Sequence, residues 1–144
     1  MLNDIVNGIS IKLNSIFGDS YEIYTENVKQ GLKEPCFFIK TLPTINKPLL
    51  GKRAQRTYSF VISYFPKDGN EEMMDVSELL LEHLEYITLE NGDVIRGHSL
   101  QTEIIDDVLH FSVNYIVFVN KSENGETMGS FNATVGVKGA INGN

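Results

Sequence analysis

Two stretches constrain this chain more than any others: "RTYSFVISYF" (56–65) and "LHFSVNYIVFV" (109–119). Successive side chains of an extended strand point to opposite faces, so a period of two sorts residues onto two surfaces. In the first stretch Tyr58, Phe60, Ile62 and Tyr64 share one face, and Ser59, Val61, Ser63 and Phe65 the other. In the second, Phe111, Val113, Tyr115, Val117 and Val119 alternate with Ser112, Asn114, Ile116 and Phe118. An apolar face backed by a mixed one predicts central strands of a sheet packed on helices, with partial cover on the far side.

Two helices are predicted. Over residues 2–17, Leu2, Ile5, Val6, Ile9, Leu13, Ile16 and Phe17 recur at helical spacing, and Gly18 stands where a stop is expected. Over 71–87, "EEMMDVSELLLEHLEYI", the buried stripe is Met73, Val76, Leu80, Leu84 and Ile87, with acids leading the first turn. Further strands are read at 21–25 ("YEIYT"), 36–42 ("CFFIKTL") and 94–105 ("VIRGHSLQTEII"). Residues 26–35 read as a polar connection, and Asp106–Asp107 as the turn of a 94–119 hairpin. The order α-β-β-β-α-β-β gives an α+β class: a mainly antiparallel sheet with two amphipathic helices on one face.

Residues 1–120 are expected to form one domain, in keeping with a chain of 144 residues. From 121 to 144 the chain turns rich in Gly, Asn, Ser and Thr, which predicts an arm that orders on a partner or a flexible tail. No stretch approaches the ~20 apolar residues of a membrane span, and the opening "MLNDIVNGIS" is not expected to be a secretory signal.

Charge is distributed in opposed blocks. Residues 29–56 carry Lys29, Lys33, Lys40, Lys47, Lys52, Arg53 and Arg56 against Glu34 alone, a net of +6. Residues 67–109 carry twelve acids against Lys67 and Arg96, a net of −10. With a pI near 4.9, sequence-specific nucleic-acid binding is not expected, because the acidic block repels the same polymer that the basic block attracts. The basic segment before strand 56–65 is therefore either a solvated loop or a contact for an acidic protein surface, which the chain itself supplies.

Catalytic patterns are weak. His83, His98 and His110 lie in different elements, and "HLEYI" lacks the second histidine of a zinc-protease helix. Asp106–Asp107 near His110 reads as turn chemistry. The lone Cys36, between Pro35 and Phe37, reads as a buried small hydrophobe. The "NAT" at 132–134 matches a glycosylation acceptor, which has no meaning in a chain without a secretory signal. No cofactor, metal or enzymatic activity is expected.

The N-terminal helix, "EPCFFI" (34–39), the Pro- and Lys-containing loop, "RTYSFVISYFP" (56–66), the acidic helix and "IIDDVLHFSVNYIVFV" (104–119), in this order, resemble the tail terminator proteins of bacteriophages and phage-like particles. The group most like it occurs in Firmicute prophages with contractile tails. The resemblance spans roughly residues 1–120. It implies a structural virion protein at the head-proximal end of the tail, assembled in the bacterial cytoplasm. Such proteins form a hexameric ring on the last layer of the tail tube, end tube polymerisation, contact the sheath and present a surface for the head-side connector. DNA passes through such a ring without specific binding.

A ring of identical subunits needs two different patches that meet around its axis. The expected patches are loop 43–56, with Leu49 and Leu50 as apolar anchors and Lys52, Arg53 and Arg56 as charged contacts, and the acidic helix, with Glu71, Glu72, Asp75 and Glu78. The loop is expected to project from the sheet, being too long for a simple hairpin. Two other readings stay open: a head–tail connector or neck protein of the same particle, and a small cytosolic binding module whose pocket is formed by Tyr58, Phe60, Tyr64 and Tyr115.

Overall fold

A computed structural model of the chain describes residues 1–25 and 33–120. The order is α1 (Leu2–Phe17), β1 (Glu22–Tyr24), β2 (Cys36–Thr41), β3 (Ile45–Pro48), β4 (Arg53–Phe65), α2 (Asn70–His83), β5 (Tyr86–Thr88), β6 (Val94–Ile105) and β7 (Val108–Asn120). The fold is α+β, as the sequence predicts. The expected 121–144 arm, Lys29 and most of the 26–35 connection lie outside the described residues.

The strands run β1-β2-β4-β7-β6-β5 across the sheet, with β3 pairing to β4. β1 pairs parallel with β2, whereas β2 with β4, β3 with β4, β5 with β6 and β6 with β7 pair antiparallel. Contacts divide the chain into two compact units. The larger holds residues 2–44 and 58–116; the smaller holds 45–57 and, among the described residues, 117–120 with Met1.

In the larger unit, α1 buries Ile5, Gly8, Ile9 and Leu13, one stripe at spacings of three and four. The Gly18 N–H closes the helix onto the Asn14 carbonyl at 2.8 Å. Helix α2 buries Met73, Val76 and Leu80. Both helices lie on the sheet face that carries Phe60, Ile62, Tyr64, Phe111, Val113 and Tyr115, all fully buried. Phe17 of α1 stacks on Phe37 with ring centroids 4.8 Å apart, and Phe37 stacks on Tyr64 at the same distance. The opposite face of β4 and β7 stays half-buried at Val61, Phe65, Ser112, Asn114 and Ile116. Alternation of the two central strands is therefore realised in three dimensions.

Two boundaries differ from the sequence reading. Helix α2 ends at His83 rather than running to 87, and Ile87 is buried from strand β5. Leu84 and Ile87 continue the helical spacing, which hides the break. The Leu84 carbonyl accepts the buried Tyr115 hydroxyl at 2.7 Å, and Tyr86–Thr88 finds a ladder on β6, with Tyr86 opposite Arg96 and Thr88 opposite Val94. Gly97 makes this junction possible. A Cβ there would come within 2.7 Å of Val113 Cγ2 and 3.3 Å of the Leu84 carbonyl.

The second difference concerns residues 43–56. They are not one long projecting loop. Ile45–Pro48 forms β3, and β4 begins at Arg53 instead of 56, so the segment is a β-hairpin turning through residues 49–52. The Leu49 N–H donates to the Arg53 carbonyl at 2.9 Å, and Gly51 takes a φ of 74°, the left-handed conformation such a turn requires.

Candidate assembly surfaces

The hairpin gathers the predicted basic residues onto the smaller unit. Register places Asn46 opposite Arg56, Lys47 opposite Gln55 and Pro48 opposite Ala54. All four residues of β3 are exposed, as are Lys52 and Arg53; Arg56 is half-buried. Arg56 Nε donates to Asn46 Oδ1 at 3.0 Å, which holds its guanidinium across the ladder. Arg53 lies 5.5 Å from the centroid of the Phe118 ring, a cation–π geometry. Both partners are neutral, so neither arginine's charge is cancelled by them. Leu49 is half-buried, whereas Leu50 is 96% exposed at the tip. The turn thus sets an apolar side chain in water beside the Lys52 and Arg53 cations.

The second predicted surface lies on α2, in the larger unit. Glu71, Asp75 and Glu78 are exposed and point to the solvent side of the helix. Glu72 has a different place. Its carboxylate accepts the Tyr64 hydroxyl in a short hydrogen bond and the Lys67 N–H at 3.1 Å, fixing the start of α2 to the end of β4. Burial, followed by this carboxylate, pushes the Tyr64 hydroxyl far above its ordinary value, so it remains a donor throughout the physiological range. Sequence reasoning missed exposed apolar residues here: Met74 is 63% exposed and Leu81 39%. The signal was available, because "EEMMD" and "ELLLEH" hold more apolar residues than one buried stripe can use.

The remaining chemical candidates are structural. Ser63 Oγ lies 2.9 Å from His110 Nδ1 in a part-buried pair. Burial, then the Glu34 and Glu22 carboxylates, push the Cys36 thiol up to about 11, so it is protonated and unreactive at neutral pH. Asp106 and Asp107 both adopt positive φ, 52° and 62°, in the two-residue turn between β6 and β7. Among the described residues, no group of three or more His, Cys, Asp or Glu could hold a metal ion. No helix among them is long and apolar enough to cross a membrane. Tyr58, Phe60, Tyr64 and Tyr115, the suggested lining of a ligand pocket, are all buried and form core.

The matching family model is that of the phage tail terminator protein, over residues 4–127. No curated protein sequence matches the chain. The matched range covers every described strand, all of α2 and all of α1 but its first two residues, and so includes the basic hairpin and the acidic face of α2. A helix-backed sheet with a solvent-facing basic hairpin, matched along most of its length, places the chain in the phage tail terminator family.

Proposed function

We propose that this protein caps the head-proximal end of the tail tube as a ring of identical subunits, six by the resemblance of its motifs. The ring ends tube and sheath polymerisation and presents the docking surface for the head-side connector. Its role in the tail is structural rather than enzymatic. Membership of the tail terminator family supports a tail role. The observation that carries the capping role beyond this is the hairpin, which holds Leu50 in water beside Lys52 and Arg53. A lone exposed leucine is ordinary on a protein surface, and what supports the reading is its place at the tip of a turn framed by cations. As a contact with the tube rim or a neighbouring subunit, it supplies apolar area framed by cations. The acidic remainder of the surface suits a ring through which DNA passes, since like charge does not hold phosphate.

The test is electron microscopy of particles produced without this gene. Tails of uncontrolled length, lacking a cap and unattached to heads, are the expected result. Capped tails of normal length without heads would move the protein up to the connector, and normal particles would end the reading.

A further inference from the structure

The exposed face of α2 carries more than a solvated helix needs. Glu71, Asp75, Glu78 and Glu82 recur at intervals of four, three and four residues, and all are exposed. That spacing stacks four carboxylates along one side of the helix over about 16 Å. The helix contains neither Lys nor Arg, and His83, charged only when protonated, lies 4.0 Å from Glu82. Glu71 in the first turn suits the helix dipole, while the like charges farther along repel one another at these spacings. Met74 and Leu81, seven residues apart, run beside the acids as an exposed apolar edge.

We infer that this face is the seat for the 45–57 hairpin of a second copy of the chain, a contact that rests on the proposed ring. Each feature of the seat has its counterpart on the hairpin. Lys52, Arg53 and Arg56 oppose the carboxylate row, and Leu50 packs between Met74 and Leu81. The occupant is a second copy because both complementary surfaces occur in every chain. Two different patches meeting head to tail generate closed rings, unlike a two-fold contact, which uses one patch twice. Burying Leu50 against the apolar edge supplies non-directional attraction, and the charges set register and exclude the same helix pairing with itself.

A disulfide trap tests this in assembled tails, with Leu50→Cys and Met74→Cys in one chain; the native Cys36 is buried and does not compete. Oxidation should give covalent species of two, three and more chains, whereas either substitution alone gives monomer. A monomer band only, a faster-migrating internally bridged monomer, a species that stops at dimer, or a bridge to a different tail protein would each overturn the contact. Such results in tails that are normally capped leave the capping role intact; tails that lack the chain overturn both. Charge exchange guards against variants that fail to assemble. Lys52→Glu, Arg53→Glu and Arg56→Glu together, or Glu71→Lys, Asp75→Lys and Glu78→Lys together, should each abolish capped tails. All six combined should restore them. A combined variant no better than either set alone contradicts the pairing.

Discussion

The helix-backed larger unit and the hairpin of the smaller one invert each other's use of apolar residues. In the larger unit Phe60, Phe111, Tyr115, Leu13 and Leu80 are fully buried, and the polar atoms that accompany them are hydrogen-bonded, as Tyr115 is to Leu84 and Tyr64 to Glu72. In the hairpin, Ile45 is 63% exposed and Leu50 96%, surrounded by cations whose described partners, for both arginines, are neutral. One region uses apolar surface to hold the chain together, and the other keeps it available. On the proposed function, folding and assembly fall to different residues, which makes them separable by substitution.

The contrast would fail if core and hairpin substitutions had similar effects on folding. Phe111→Ala is expected to lower stability by ~3–5 kcal/mol, since a fully buried aromatic leaves a cavity that packed neighbours fill only in part. Denaturant unfolding measures it. Gly97→Ala is expected to cost ~1–3 kcal/mol, because the new methyl meets Val113 and the Leu84 carbonyl with no space to move into. A neutral result would show that the α2–β5 junction is looser than its distances suggest.

The pH dependence sharpens the same contrast from the buried side. Cys36 ionises near 9.0 in an ordinary setting and near 11 in the folded chain. Above pH 9 the unfolded chain loses this proton while the folded one keeps it, so stability falls as pH rises from 9 toward 11. The loss between pH 9 and 10 should be about 1 kcal/mol, and Cys36→Ala should flatten that slope. Tyr64 and Tyr115, both raised by burial from an ordinary value of 10.0, add to the fall as pH approaches and passes 10.

The smallest stability effect belongs to the hairpin. Leu50→Ser should leave thermal unfolding within ~0.5 kcal/mol of the parent, as exposed substitutions generally do. Arg53→Glu should cost somewhat more, ~0.5–1 kcal/mol, through loss of the Phe118 contact. Yet these are the substitutions expected to damage tails, whereas Phe111→Ala should act only through folding.

What was legible in the sequence follows the same division. Helix α1 and strands β4, β6 and β7 declare themselves because burial imposes a period on their residues, and Tyr58 to Tyr64 and Phe111 to Tyr115 fall on the inner face as the alternation predicts. Strand β3 does not declare itself. "INKP" is exposed at every position, so no burial pattern marks it, and it exists because β4 extends three residues further toward Arg53 than its apolar run. Strand β5 is three residues long and continues the helical spacing of α2, so only the Leu84–Tyr115 and Gly97 contacts reveal it. At the assembly surfaces the cations were readable as a charge block, and the acids as one too. The internal use of Glu72 was not, because nothing in local spacing connects it with Tyr64 eight residues earlier.

The central claim is that the hairpin acts in assembly and not in folding. The most direct measurement is the length distribution of tails, by electron microscopy, in particles whose only copy of this protein carries Lys52→Glu, Arg53→Glu and Arg56→Glu, with the purified variant's melting curve alongside. The account predicts long, uncapped tails of broad length distribution from a protein that melts nearly as the parent does. Capped tails of normal length would contradict it.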